Sequence, residues 1–166
     1  LMRICDGLKA IPSTLLAIFL MAVLGPSVRN VIISLMVVST PSLARMVRSS
    51  ALAAREQTYV EAMVCLGASP TRILWKHIMP NTLSPVIVQM TFVFASAILS
   101  EAALSLLGAG VPVPEPSWGS ILSQGRTYVY TAWWLILYPG VFTALAVLGF
   151  NLFGDGVRDL LDPMSH

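Results

Sequence analysis

The sequence predicts an all-α polytopic membrane protein, and three observations carry that prediction. Apolar residues make up 56% of the 166-residue chain and charged residues only 11%, against roughly a quarter charged in an ordinary soluble domain. A mean hydropathy of +0.79 and a net charge of +2 leave too little polar surface to meet water on all sides. Four apolar stretches also approach the length of about 20 residues that a helix needs to cross a bilayer. These features exclude a disordered tail, a disulfide scaffold and a free cytosolic enzyme. The only cysteines, Cys5 and Cys65, form no framework and no paired-thiol metal motif, so reduced thiols are expected.

The first span is expected over 8–24. Arg3, Asp6 and Lys9 precede or enter it on one side of a helix, and Gly25-Pro26 closes it. Those charges, and the lack of a small-residue cleavage site, exclude a signal peptide. The chain begins without methionine and is read as the C-terminal portion of a longer protein whose N-terminal spans are missing. The second span, 28–47, carries Pro41 as an expected kink that neighbouring helices tolerate. The third, 83–107, is closed by Gly108 and broken by Pro112, Pro114 and Pro116. The fourth, 133–153, contains Pro139-Gly140 and is expected to end at Gly154-Asp155-Gly156.

Orientation follows from the basic residues. Arg45, Arg48, Arg55, Arg72 and Lys76 lie between the second and third spans, while the loop between the third and fourth holds only Arg126. The former segment is therefore expected inside, with Arg3, Lys9 and Arg158, and the C-terminus is expected to be cytoplasmic. Arg29 and Arg126 remain outside. In the outer loop, 111–131, the alternating prolines give an extended entry and Ser117 is placed to cap a short helix through Gln124. Tyr128, Tyr130, Trp133 and Trp134 suit either an aromatic anchor at the membrane surface or a docking surface for an extracytoplasmic partner.

The segment 52–80 reads as a cytoplasmic helix-turn-helix. Tyr59, Ala62, Met63 and Leu66 recur at intervals of three and four on one face, leaving Arg55, Glu56 and Glu61 for water or a partner. Gly67 stops the first helix. Ser69-Pro70 starts the second, which carries Ile73, Leu74 and Ile78 until Pro80 is expected to end it. Flanking spans pin this pair against the bilayer, which excludes nucleic-acid recognition. A hairpin that merely packs spans together and a docking element both fit the pattern.

Glu61-Ala62-Met63, three residues, Gly67, and Pro80 thirteen positions later resemble the EAA loop of ABC-transporter permeases. Tyr59-Val60, Ala68-Ser69, Arg72-Ile73 and His77-Ile78-Met79-Pro80-Asn81 are similar to its dipeptide/oligopeptide/nickel branch. So are Asp6 to Pro12, Glu101 to Gly110 followed by Pro116-Ser117-Trp118-Gly119, and Phe150-Asn151-Leu152 followed by Gly154 to Asp159. Met63 departs from the second alanine of the motif and Met79 from the leucine before its proline. The resemblance covers nearly the whole chain.

It implies an ABC type-1 permease-like helical bundle in a bacterial or archaeal plasma (inner) membrane, one half of the pathway of an ATP-driven importer for di- or oligopeptides. A nickel importer of the same family is the alternative substrate reading, and a non-transporting structural membrane subunit the alternative role. Implied partners are two ATP-binding cassette ATPase subunits, a homologous second permease subunit, an extracytoplasmic substrate-binding protein and the lipid bilayer. The resemblance assigns ATPase docking to Glu61, Ala62, Gly67, Ala68 and Pro80, and an outer gate or binding-protein contact to Glu101, Trp118 and Arg126. No cofactor and no enzymatic activity are expected.

The residues agree with the last point. A phosphate-binding loop needs lysine followed by serine or threonine, whereas Lys9 precedes Ala10 and Lys76 precedes His77. An embedded hydrolase needs a base near an intramembrane nucleophile, but the histidines are His77, in the cytoplasmic segment, and His166, at the terminus. Two distant histidines and two distant cysteines offer no metal cluster. Counting about 1.5 Å per residue from Asn81 puts Glu101 about 30 Å up its helix, near the outer interface. There it is either a carboxylate at the wet end of a helix or a gate contact. Gln89 and Asn151 lie deeper, suited to line the path or to bond between helices.

The orientation has a direct test in impermeant thiol labelling. Ser69→Cys should be modified only from the cytoplasmic side and Ser120→Cys only from outside; the reverse pattern contradicts the reading.

Overall fold

The computed structural model describes residues 2–161, so the His166 of the sequence argument lies outside the described residues. Among the described residues the regular structure is helical: α1 (Met2–Lys9), α2 (Ser13–Leu24), α3 (Val28–Arg55), α4 (Thr58–Cys65), α5 (Pro70–Ile73), a π-helical turn (Leu74–Ile78), α6 (Met79–Leu106), α7 (Trp118–Gly125), a 3-10 turn (Arg126–Tyr128) and α8 (Trp134–Leu161). Helices α3, α6 and α8 have 28 residues each, or about 42 Å at 1.5 Å per residue. Three helical stretches, Val28–Arg55, Pro70–Leu106 and Trp134–Leu161, are long and apolar enough to cross a membrane, and the bent pair α1–α2 makes a fourth if counted together.

That bend differs from the continuous segment expected over 8–24. The helix axis turns by 96° between Lys9 and Ser13, because Pro12 disfavours helical geometry at Ile11 and offers no N–H to continue the ladder. Helix α1 lies against α3, where Arg45 and Asp6 form an exposed ion pair at 3.3 Å. Helix α2 then turns back into α3 through a tight corner. Asn30 Nδ2 donates to the carbonyls of Leu24 (2.8 Å) and Gly25 (2.9 Å), and Ser27 Oγ accepts from Asn30 N. The side chains thus satisfy backbone groups that the helix ends leave open.

Two expected helix ends are not ends. Pro80 does not stop its helix, because the π-helical turn just before it widens the backbone. Met79 N–H reaches the carbonyl of Leu74, and the wider turn gives the proline ring room while the chain runs on to Leu106. Nor does Gly154-Asp155-Gly156 stop α8, which continues to Leu161. Gly154 is buried against α6: a Cβ there would collide with Thr91 and approach Phe92. Its lack of a side chain is used for close packing within a helix rather than for a turn. The first helix of the expected cytoplasmic pair also breaks where its pattern is continuous, with α3 ending at Arg55 and α4 beginning at Thr58.

Helix α6 packs on α3, α7 and α8 and is the centre of the bundle. Its buried positions are Thr82, Thr91, Ala95, Ala102, Leu104 and Ser105. Apart from Leu104 they are small, as expected where helices meet without a hydrophobic drive between them and gain by close approach. Phe94 stacks on Phe150 of α8 beside this seam, with centroids 5.9 Å apart. Large apolar side chains such as Leu15, Phe19, Leu99, Leu145 and Leu148 point outward. In water such a surface would be a liability; against lipid or further helices it is the proper outside.

Ser120 is buried, which corrects its use as an outer labelling probe. Tyr130, at 98% exposure, is the position to carry the cysteine in that loop.

Candidate functional site

The segment after α3 is a hairpin whose turn is fixed by two backbone bonds. At the end of α4 the N–H of Ala68 reaches the carbonyl of Met63 and that of Gly67 reaches Val64, each at 3.0 Å, with Gly67 at φ +75°. This is the arrangement that requires a left-handed residue after a helix, which favours glycine. The top of α6 ends in the same way, with Ala109 N–H on Leu104 and Gly108 N–H on Ser105. Ser69 sits at the start of α5 but makes no capping bond; its hydroxyl lies 3.3 Å from that of Thr71.

The hairpin's small core is Val60, Ile73 and Ile78, with Ala51, Ala54, Met63 and Ala68 packed around it. This corrects the expected inner face of α4. Ala62 is exposed and Leu66 is 80% exposed. The turn at Gly67 brings α5 and the π-helical turn back on the Val60 side, so Val60, not Ala62 or Leu66, meets them. Glu61 lines an open groove of about 620 Å³ together with Leu52, Arg55, Glu56, Val60, Val64 and Cys65.

The expected docking residues differ in exposure and in the element that carries them. Glu61, Ala62 and Gly67 are exposed on the hairpin, Ala68 packs against its core, and Pro80 lies beyond it on the column that becomes α6. A link that pattern reading missed ties the hairpin to that column. Asn81 Nδ2 donates to Tyr59 Oη (2.9 Å) and to the carbonyl of His77 (2.8 Å), and the Tyr59 and His77 rings lie 6.5 Å apart. Tyr59 and Asn81 are 22 residues apart, beyond any helical periodicity. Gln89 and Arg158 line a further cavity of about 560 Å³ with Asn81 and Ser84, between the neighbouring ends of α3, α6 and α8.

At the other end of α6 a second cluster holds α7. Ser117 Oγ accepts from Ser120 N–H (2.9 Å) and Ser120 Oγ accepts from Ser117 N–H (3.0 Å), a reciprocal cap. Glu101 Oε1 accepts from Ser117 Oγ (2.9 Å) and Ser105 Oγ (2.7 Å). Glu101 is half-buried rather than a free carboxylate at a wet helix end. Trp118 stacks on Phe142 of α8 with centroids 6.5 Å apart, and Arg126 is exposed in the 3-10 turn.

With both ends described, the comparison with known proteins is decisive. The family of binding-protein-dependent transport system inner membrane components matches residues 1–165. The chain belongs to this family. A Brucella suis biovar 1 protein named for a peptide transport system permease is 53% identical over 163 residues, 98% of this chain and 55% of its own length. The dipeptide transport system permease protein DppC of Alkalihalophilus pseudofirmus is 47% identical over 97% of this chain and 53% of its own. The glutathione transport system permease protein GsiD of Salmonella typhimurium is 45% identical over 98% and 54%. The relatives it resembles are thus permease proteins named for peptide, dipeptide and glutathione transport. It spans about half the length of the curated relatives it matches.

The Tyr59–Asn81 bond carries a prediction about this permease hairpin. A hydrogen bond of this kind contributes about 1 kcal/mol, so Tyr59→Phe should raise amide hydrogen exchange across 58–66 about fivefold while leaving α6 protected. Unchanged exchange in α4 would show that the hairpin holds without it.

Proposed function

We propose that the chain is part of the permease subunit of an ATP-driven importer for di- or oligopeptides. In this reading its spans form half of the pathway and its hairpin couples them to a separate ATPase subunit. The observation that carries the reading is the hairpin itself: a capped turn at Gly67, an exposed α4, and Glu61 beside a groove with apolar walls and charged rims. The names of the relatives, for peptide, dipeptide and glutathione transport, favour peptides over nickel.

In this reading two ATP-binding cassette subunits supply ATP hydrolysis and dock at Glu61, Ala62 and Gly67. Ala68 supports that surface by packing under the turn, and Pro80, exposed in the first turn of α6, continues it along the column. A homologous second permease subunit completes the pathway. An extracytoplasmic binding protein meets the opposite end at the surface built on Glu101, Trp118 and Arg126. The protein lies in a bacterial inner membrane with its C-terminus in the cytoplasm.

A Cβ at Gly67 would meet open space, so a replacement there acts through backbone strain, roughly 1 kcal/mol or more, and through whatever the turn enters on a partner. Loss of one member of a partly desolvated charge pair costs a few kcal/mol at an interface. In reconstituted transporters, Gly67→Leu should weaken assembly or abolish substrate-stimulated ATP hydrolysis, and Glu61→Ala should uncouple it more mildly. A lower melting temperature with unchanged transport per ATP in the assembled complexes would instead mark the hairpin as purely structural.

A further inference from the structure

The cluster at the top of α6 has the form of a strut. Glu101 stands on α6, four residues before the buried Ser105, which donates to it at 2.7 Å. Its other donor is Ser117, whose Oγ simultaneously accepts the Ser120 N–H that opens α7. One carboxylate oxygen therefore joins the side of α6 to the N-cap of α7. Hydrogen bonds to an ionised acceptor are among the stronger ones available to a side chain. The second oxygen faces Gly119: a Cβ there would stand 2.8 Å from Glu101 Oε2, from Ala102 Cα and from Ser105 Cβ. No other residue type leaves room for α7 to seat this closely on α6.

The next residue along, Trp118, is 40% exposed and stacked on Phe142. The exposed residues of α7 are the indole of Trp118, Ile121 and Gln124, and Arg126 is exposed in the 3-10 turn that follows. The carboxylate lies underneath, with Oε1 engaged by two hydroxyls and Oε2 packed against the Gly119 backbone.

We propose that Glu101 is a positioning residue: it accepts hydrogen bonds from Ser117 and Ser105 to fix α7, so that Trp118 and Arg126 are presented to an extracytoplasmic protein partner, and its negative charge is not itself read by partner or substrate. This deepens the reading of that end as a binding-protein contact and rests on it. The distinction is chemical. Glutamine keeps a carbonyl oxygen able to accept both hydroxyls while it removes the charge and turns the second oxygen into an amide donor; alanine removes the acceptor.

The test uses the full-length transporter in proteoliposomes with its ATPase subunits and substrate-loaded binding protein. Glu101→Gln should keep amide protection over 118–125 and transport within about twofold of the parent. Glu101→Ala should raise exchange over 118–125 about tenfold, the scale of a lost hydrogen bond to a charged group, and raise the KM for loaded binding protein with kcat little changed. Ser117→Ala, which also removes the α7 N-cap, should loosen α7 at least as much, and the double variant should be less than additive, because one of the two hydroxyls that Glu101 accepts is then already gone. Should Glu101→Ala fail to assemble, Ser117→Ala and Glu101→Gln still decide the matter. The proposal is overturned if Glu101→Gln loses transport as completely as Glu101→Ala while α7 stays protected, since the charge is then what matters. It is equally overturned if neither Glu101→Ala nor Ser117→Ala loosens α7. Failure of the underlying surface reading looks different: Trp118→Ala and Arg126→Ala would leave the KM for loaded binding protein unchanged while the Glu101 variants still order α7 as described.

Discussion

A continuous helical backbone along one column, from Pro70 to Leu106, is the constraint on which the rest of this protein depends. A bilayer has no water to satisfy an open N–H or C=O, so a crossing segment must pair its own backbone. This column contains Pro80 and Pro85, either of which removes a donor. The π-helical turn at Leu74–Ile78 absorbs the first by letting Met79 N–H reach back five residues to Leu74. Hydroxyls bonding to nearby carbonyls, Thr82 on Met79 and Thr91 on Val88, add further partners along the same helix.

Because the column is continuous, the hairpin and the α7 cluster are built on the same element. The hairpin hangs from its base through Tyr59 and Asn81 and through the Val60, Ile73 and Ile78 core. The short helix α7 is fastened to its top through Glu101 and Ser117. Neither end is held by a large apolar core. Each relies on a few hydrogen bonds whose partners are well placed, supported by one close backbone approach or one small buried cluster.

The middle of the bundle follows a different rule. Small side chains, Thr91, Ala95 and Ala102 on α6 with Gly154 and Thr143 on α8, fill the buried positions. Large ones face outward. That distribution is inside-out for a water-soluble protein and suits lipid, where contact between helices is gained by close approach and not by withdrawing oily surface from water. It also explains why so little of each apolar span is buried within this chain, 11–17% of the spanning windows.

Local chemistry was legible in the sequence because its causes are local. The turn at Gly67, the stop at Gly108 and the Ser117 cap each depend on a few neighbouring residues, and each stands where the residue types put it. The motif around Glu61 and Gly67 also marked the family, since short-range spacing preserves it. What only the tertiary structure decided are the features that depend on a residue's distant neighbours. Gly154 read as a helix stop because a glycine usually loosens a helix; Thr91 across the interface makes it a contact point instead. Pro80 read as a terminus because a proline breaks regular α-geometry, and a widened turn carried the helix through. Val60 displaced Ala62 and Leu66 from the buried face of α4 because the returning helical segment of the hairpin covers one side of that helix only. Glu101 read as either a carboxylate at the wet end of a helix or a gate contact, and neither reading contained the bond from Ser117, sixteen residues on. Periodicity records how a helix turns, but the side that is covered depends on where the rest of the chain comes to lie.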